Sequence, residues 1–254
     1  MKFLFLDEFK YDSIKSHKIY GLTGIVIDAQ YYLSFKESFS AALKKIGWDK
    51  KYELKGRSMF SISGDKTVDV KKRINFMSDV VGISKSKTGK TAKIHVFVAI
   101  KMYDKKSTEY ECYKASLKKI IKKLPKPSSK KKSLVGVFYD QNDCIDIKDF
   151  QKSIERSLND RNLNLFESPY SVKSSLENPG IMFADYVCYF NQNFFQLSNF
   201  RKNINAEILA LLEKDERKMI SEDEKKKLAV YITNYKKEQK TKELILALKK
   251  IAFV

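Results

Sequence analysis

The chain begins with an apolar run that stops on two adjacent acids, in the segment MKFLFLDEFK. An apolar run of this length predicts a first strand, KFLFLD, that enters the hydrophobic core. Burying a carboxylate at the end of such a strand costs free energy unless the group is paired or binds a cation. Asp7 is therefore either a solvated turn residue, which is the commoner case, or the first member of a site.

Later segments predict strands and helices in alternation. A second strand over 18–28 follows closely enough to form an antiparallel hairpin with the first. Further strands are predicted over 93–101, 133–140 and 163–170, and helices over 29–47, 68–81, 104–124, 147–158 and 178–195. This order predicts an α/β fold, a mixed sheet with helices on both faces. Residues 1–200 form the predicted domain, and residues 201–254 form a basic helical extension with a capping box from Ser221 to Glu224.

The composition indicates a globular cytoplasmic protein. The chain has 254 residues, of which 43% are hydrophobic, and this is enough for a real core. No apolar stretch is long enough to span a bilayer, and the first residues turn acidic too soon for a signal peptide. Three cysteines without a C-x-x-C motif are typical of a reducing compartment and argue against disulfides or a thiolate zinc site.

The net charge is strongly positive. Fifty Lys and Arg residues against 31 Asp and Glu give a formal charge of +19. A field of this size favours polyanionic partners such as nucleic acid or anionic lipid. Only six of the basic residues are arginine. A lysine excess also arises from A·T-rich coding without selection on the protein, so the charge alone leaves that simpler explanation open.

Carboxylates are the best candidates for any chemistry in this chain. With only His17 and His95 present, a site built from several imidazoles is excluded. Asp185 lies in the apolar segment GIMFADYVCYF, where an acid is expected to face a partner or a cation rather than water. For any single acid, a buried ion pair with a lysine such as Lys55 remains the simpler alternative.

Taken together, the acids favour a metal site. If the first strand and the strand over 133–140 are parallel neighbours, Asp7 and Asp140 lie side by side. Clustered carboxylates raise each other's pKa unless they share a cation. Oxygen-only ligation selects Mg²⁺ or Mn²⁺ rather than zinc. Two such ions, about 3.5–4 Å apart, are the usual arrangement for in-line displacement at phosphorus.

The motifs FLFLDE, YELKG, VFYDQND and SSLENPGIMFADYV occur in this order. The set resembles the domain-of-unknown-function 3800 family, over roughly residues 1–195. The resemblance implies a ribonuclease-H-like fold and a metal-dependent phosphodiesterase site. Its principal residues would be Asp7, Glu53, Asp140 and Asp185, with Glu8 and Lys55 as lesser candidates. Because side chains alternate along a strand, we expect Glu8 to point away from Asp7.

This chain departs from the family pattern at several positions. Phe9 and Lys10 replace the usual small residue and glycine, and Met182 stands where glutamine is usual. The four principal acids are intact, so the departures bear on substrate contacts more than on the carboxylate chemistry. Lys55 either contacts a scissile phosphate or forms an ion pair with Glu53.

The sequence therefore predicts a nuclease that cuts DNA, RNA or a hybrid with two Mg²⁺ or Mn²⁺ ions. The alternative is a non-catalytic nucleic-acid-binding or defence-associated interaction module on the same fold. A third interpretation is a basic scaffold whose charge reflects coding bias. Metal binding separates the first from the others, and salt-dependent binding of nucleic acid separates the second from the third.

Overall fold

The described part of the chain divides into two compact units. A computed structural model describes residues 1–12, 17–48, 76, 79, 94–104, 107–127, 132–140, 145–172, 178–189, 191–192 and 221–226. The first unit is Met1–Gln192 and the second is Asn193–Val254. The predicted domain boundary after residue 200 and most of the predicted helix over 68–81 lie outside the described residues.

The first unit contains a six-stranded mixed sheet in its described residues. Its strands run in the order β3-β2-β1-β4-β5, and β6 pairs with β4. Pairing is antiparallel among β1, β2 and β3, and parallel from β1 to β4 and from β4 to β5 and β6. The elements are β1 Lys2–Asp12, β2 His17–Asp28, α1 Ala29–Lys45, β3 Ile94–Asp104, α2 Glu109–Lys123, β4 Ser133–Asp140, α3 Ile147–Asn159, β5 Leu163–Leu165 and β6 Tyr170–Val172. A helix over 179–189 follows.

The predicted hairpin at the start of the chain is confirmed. β1 and β2 stay in register from Lys2 opposite Asp28 to Asp12 opposite Lys18. α1 begins directly after β2 and ends just before Gly47. Gly47 has a φ of 76°, in the left-handed region that glycine adopts without a steric penalty. The glycine therefore ends the helix where the sequence predicts.

One face of the sheet packs against α2 and α3. A hydrophobic core lies between this face and the two helices. Leu4 and Leu6 of β1 are fully buried in it, together with Tyr113 of α2 and Phe150 of α3. α2 begins with a capping box, in which the Glu111 amide donates to the Thr108 hydroxyl oxygen at 3.2 Å and the Thr108 amide donates to the Glu111 carboxylate at 2.9 Å.

The opposite face is aromatic and packs against α1 and the 179–189 helix. Phe5 of β1 stacks on Tyr32 of α1, and Phe183 contacts Phe35 of α1. Gly180 lies so close to the sheet that a Cβ atom there would be 2.5 Å from the Phe5 ring. Helices thus cover both faces of a mixed sheet, which confirms the predicted α/β architecture.

Two strand predictions need correction. β1 continues to Asp12 instead of stopping at Asp7, because it stays paired with β2 beyond the point where β4 leaves it. The predicted strand over 163–170 is two short strands, β5 and β6, separated by residues 166–169. Pro169 in this interruption has no amide hydrogen to donate to a strand ladder.

In the second unit, the described residues 221–226 start a helix. The Glu224 amide donates to the Ser221 hydroxyl oxygen at 3.3 Å, and the Ser221 amide donates to the Glu224 carboxylate at 3.0 Å. The predicted capping box is therefore confirmed. Across the described residues, no helix has the length and apolar character required to cross a membrane.

We expect Gly180→Ala to lower the free energy of unfolding by about 1–2 kcal/mol, because overpacking against Phe5 outweighs the gain in helix propensity. Urea unfolding at neutral pH measures the loss. In a Phe5→Leu background the same substitution should cost less, since the shorter side chain leaves room for the methyl group. Equal or increased stability in both backgrounds would contradict the close packing of this helix on β1.

Candidate metal centre

The candidate site lies where β4 separates from β1. The two strands pair in parallel from Lys2 opposite Val135 to Leu6 opposite Tyr139. The residues that directly follow this pairing are Asp7 on β1 and Asp140 on β4. β4 ends at Asp140. β1 continues beyond Asp7, hydrogen-bonded to β2 but no longer to β4. The structure therefore brings these two acids to the same edge of the parallel pairing.

The Asp7 side chain is buried, with an exposed fraction of 8%. Burial raises the pKa of its carboxyl well above the ordinary value, and the carboxylates of Asp185, Glu8 and Asp140 raise it further, in that order. The Glu8 amide donates to Asp7 Oδ1 at 2.9 Å, and this hydrogen bond lowers the pKa of Asp7. Burial therefore has the largest effect on this carboxyl group, and the described charges that raise its pKa further are carboxylates.

Asp185 reaches this place from a different element, the 179–189 helix. The helix starts with a side-chain cap, since the Ile181 amide donates to Asn178 Oδ1 at 3.1 Å. Asp185 itself is half-buried between buried neighbours. Among the described charged groups around Asp7, it has the largest effect on the pKa of that carboxyl. The apolar helix therefore brings its one acid to the sheet.

The helix, which packs on the face of the sheet, also contacts the main chain of β1. Cys188 Sγ donates to the main-chain oxygen of Asp7 at 3.4 Å, and Gln192 Nε2 donates to that of Lys10 at 3.3 Å. These two hydrogen bonds fix the position of the helix along the strand. Asp185 lies one helical turn before Cys188, and this spacing positions it beside Asp7.

Glu8 lies on the other face of the sheet, as strand alternation predicts. Its carboxylate raises the pKa values of the Tyr20 and Tyr113 hydroxyls, after the larger effect of burial. Both tyrosines belong to the core that α2 and α3 cover. Glu8 therefore contributes charge near Asp7 from the opposite side of the sheet.

His95 lies away from the acids. In β3 it is opposite Val26, which is opposite Leu4, so it is level with the start of β1 rather than with Asp7. Burial lowers its pKa, and the nearby Lys2 lowers it further. The structure therefore places His95 outside the group around Asp7.

Two of the predicted site residues, Glu53 and Lys55, lie outside the residues that the structure describes. Within the described ranges, no three Asp, Glu, His or Cys side chains converge closely enough to hold a metal ion by themselves. The acids that meet around Asp7 are all carboxylates, the ligand type that Mg²⁺ and Mn²⁺ prefer. The donor chemistry of the described acids therefore suits these ions.

Sequence reasoning missed two residues beside Asp7. Thr23 is fully buried and lies directly opposite Asp7 in the register of β1 and β2. Cys188 is buried as well, and burial followed by the Asp7 carboxylate raises the pKa of its thiol. The position of Cys188, three residues after Asp185, was the available signal, since residues three apart share a helix face. Thr23 sits in an ordinary strand pattern that carried no signal.

The raised pKa of Asp7 predicts the pH dependence of stability in a chelator. The unfolded carboxyl loses its proton near 3.8 and the folded one only at higher pH. Between these values the folded state binds more protons, so stability falls as pH rises. We expect Asp7→Asn to be less sensitive to pH in this window and at least as stable at neutral pH, with the difference growing by at most about 1.4 kcal/mol per pH unit.

Urea unfolding of both proteins between pH 3 and pH 8, roughly the range in which carboxyl groups and histidines titrate, measures this difference. Glu37→Gln, on the exposed side of α1, is the control for loss of one negative charge and should follow wild type. A marked loss of stability in Asp7→Asn at neutral pH would mean that Asp7 is held by a cationic side chain.

Comparisons with known proteins give structural likeness only. No protein-family model matches this chain. No curated protein matches it either. Ribonuclease H2 from Pyrococcus horikoshii OT3 is 13% identical, with a TM-score of 0.41 over 98% of this chain and 100% of that one. RNase HII from Archaeoglobus fulgidus, solved as a complex with PCNA, is 11% identical, with a TM-score of 0.39 over 86% of this chain and 91% of that one. Because these scores are below 0.5, the function proposed below is based on this chain's own residues.

Proposed function

We propose that this protein is a metal-dependent nuclease that hydrolyses phosphodiester bonds of DNA or RNA, as the resemblance to the domain-of-unknown-function 3800 family implies. Asp7, Asp140, Asp185 and Glu53 are the proposed ligands for Mg²⁺ or Mn²⁺. The observation that carries the proposal is the buried Asp7 carboxyl, surrounded by carboxylates from two other elements and from its own strand.

The electrostatic cost of this arrangement supports a cation as its partner. A buried carboxylate next to like charges lowers stability unless a positive charge compensates it. Asp7, Asp140 and Asp185 come from β1, β4 and the 179–189 helix, so charges from three separate elements act on the Asp7 carboxyl. A purely structural role needs no such convergence, whereas a divalent cation is stabilised by several carboxylates at once.

Each acid is positioned by a different local interaction. Asp7 is fixed by the hydrogen bond from the Glu8 amide, and Asp140 by its place directly after the parallel pairing of β4 with β1. The Cys188 contact to the Asp7 main chain fixes the helix that carries Asp185. When bound, Mg²⁺ or Mn²⁺ activates water and stabilises charge on the phosphoryl group. Lys55 is proposed to contact the scissile phosphate.

The excess of basic residues suits a nucleic-acid substrate. The formal charge of +19 attracts polyanions, and the carboxylates form a local negative site within that positive field. A phosphate reaches such a site when a cation lies between it and the carboxylates. The proposed substrate and the proposed cofactor therefore depend on each other.

Asp185→Asn separates a ligand role from a structural one. If Asp185 binds metal, the apo variant should melt at or slightly above the wild-type temperature, because carboxylate repulsion falls. Mn²⁺ should then stabilise wild type but much less so the variant, and cleavage of mixed nucleic acids should fall by about 100-fold or more. Thermal melting with and without Mg²⁺ or Mn²⁺, alongside the cleavage assay, measures both effects.

The opposite result is equally specific. If Asp185 is half of a buried ion pair, the same substitution should destabilise the apo protein by about 3–5 kcal/mol and leave the metal response unchanged. Glu37→Gln again controls for loss of charge. Metal-independent binding of nucleic acid with no cleavage by wild type would favour the non-catalytic module instead.

Binding of duplex DNA should weaken steeply with salt. If about five phosphates are neutralised, the slope of log affinity against log salt is near −4 to −5, because each contact releases condensed counterions. Fluorescence anisotropy at several salt concentrations, in a chelator to prevent cleavage, gives the slope. A flat response, or no binding at low salt, would assign the positive charge to coding bias.

A further inference from the structure

A ladder of stacked aromatic rings runs across the face of the sheet that carries Asp7 and Asp140. Phe5 stacks on Tyr32 with ring centroids 5.6 Å apart, and on Phe138 of β4 with centroids 5.0 Å apart. Phe138 in turn stacks on Tyr170 of β6 at 5.2 Å, with only 16° between the ring planes. The ladder therefore continues from the buried core to the β6 side of the sheet.

The outer end of this ladder is exposed. Phe5 is buried, with an exposed fraction of 1%, whereas Tyr170 is 40% exposed. Two further large apolar side chains on this face are exposed as well, Leu134 of β4 at 39% and Phe166 after β5 at 45%. Strand alternation places Leu134 on the face of Phe138, and Phe166 on the face opposite to Leu165, which is partly buried against the α2 and α3 core. We call Phe138, Tyr170 and Phe166 the aromatic platform.

The aromatic platform is continuous with the candidate metal centre. Phe138 and Asp140 are two residues apart on the same face of β4, which is about 7 Å along a strand. β6 keeps the same register, with Tyr170 opposite Phe138 and Val172 opposite Asp140. A molecule lying along β4 and β6 would therefore contact the rings and the carboxylate together.

Charge and geometry favour a nucleobase over a phosphate on Tyr170. Its hydroxyl donates to the Glu167 carboxylate, and this hydrogen bond fixes the orientation of the ring. A carboxylate at the rim repels phosphate, whereas a base presents a neutral π face. Exposed aromatic rings on a sheet are well suited to stack on bases that are not already stacked in a duplex.

We propose that the aromatic platform binds unpaired nucleobases, so that the substrate is a single-stranded segment of nucleic acid whose neighbouring phosphate lies at Asp140. This deepens the proposed function and rests on it for the position of the phosphate. A base stacks on the face of the Tyr170 ring that does not contact Phe138, and the sugar–phosphate chain continues toward the carboxylates. Stacking of this kind tolerates any base sequence.

The test is a binding measurement that does not depend on cleavage. The full-length protein in EDTA at low salt is titrated against a labelled oligothymidylate of about ten nucleotides and against an abasic strand of equal length. Tyr170→Leu keeps an apolar side chain but removes the ring, and should weaken binding of the oligothymidylate by about 5- to 150-fold. Tyr170→Phe also lacks the hydrogen bond to Glu167 but keeps the ring, and should stay within about twofold of wild type.

Two controls separate stacking from other effects. Ile147→Ala removes an exposed apolar side chain, 55% exposed, from α3 on the other side of the sheet and should leave both affinities unchanged. Binding of the abasic strand should be the same for every variant. Melting temperatures of all variants confirm that they are folded.

Several outcomes would overturn the proposal. These are equal affinities of wild type and Tyr170→Leu for the oligothymidylate, an equal loss for the abasic strand, or no binding of single strands by wild type. A wild-type dimer that Tyr170→Leu dissociates in sedimentation would assign the platform to a second copy of the chain instead. Ring-dependent binding without cleavage in Mg²⁺ or Mn²⁺ would refute the proposed nuclease activity, whereas it would support the binding of bases by the aromatic platform.

Discussion

The early end of the pairing between β1 and β4 determines the rest of the candidate site. After Leu6 and Tyr139 the strands separate, and β1 continues with β2 on one side only. The 179–189 helix packs on the face of the sheet that carries Asp7, and its Cys188 thiol contacts the Asp7 carbonyl. That contact carries Asp185 to the same place. The end of the parallel pairing and the packing of this helix thus let acids from three elements act on the charge of Asp7.

The hairpin, the main helices and β4 were predictable because each depends on local pattern. The end of α1 follows from Gly47, and the start of the 221–226 helix follows from Ser221 and Glu224. The proximity of Asp7 and Asp140 needed one more assumption, that their strands are parallel neighbours. The observed pairing supplies it. An apolar strand that leads into an acid is therefore informative once two such strands can be placed side by side.

The length of β1 was not predictable from the same pattern, and the reason lies in Asp7 itself. Phe9 continues the alternation of Phe3 and Phe5, and it packs with Ile19 and Cys188 in a separate small core. A buried acid in the middle of this series resembles the end of a strand when hydrophobicity is the only signal. The roles of Thr23 and Cys188 depend on register and helix placement, which a single sequence does not reveal.

The positive net charge and the negative site act over different distances. At physiological ionic strength, screening limits the interaction between exposed charges to a distance of about 8 Å. The electrostatic potential at Asp7 is therefore set by the nearby carboxylates rather than by remote lysines. The sum of +19 still raises the local concentration of a polyanion around the whole molecule. A polyanion attracted by the positive surface then meets a negatively charged site. On the proposed function a bound cation reconciles the two, so the metal would be as necessary for substrate position as for chemistry.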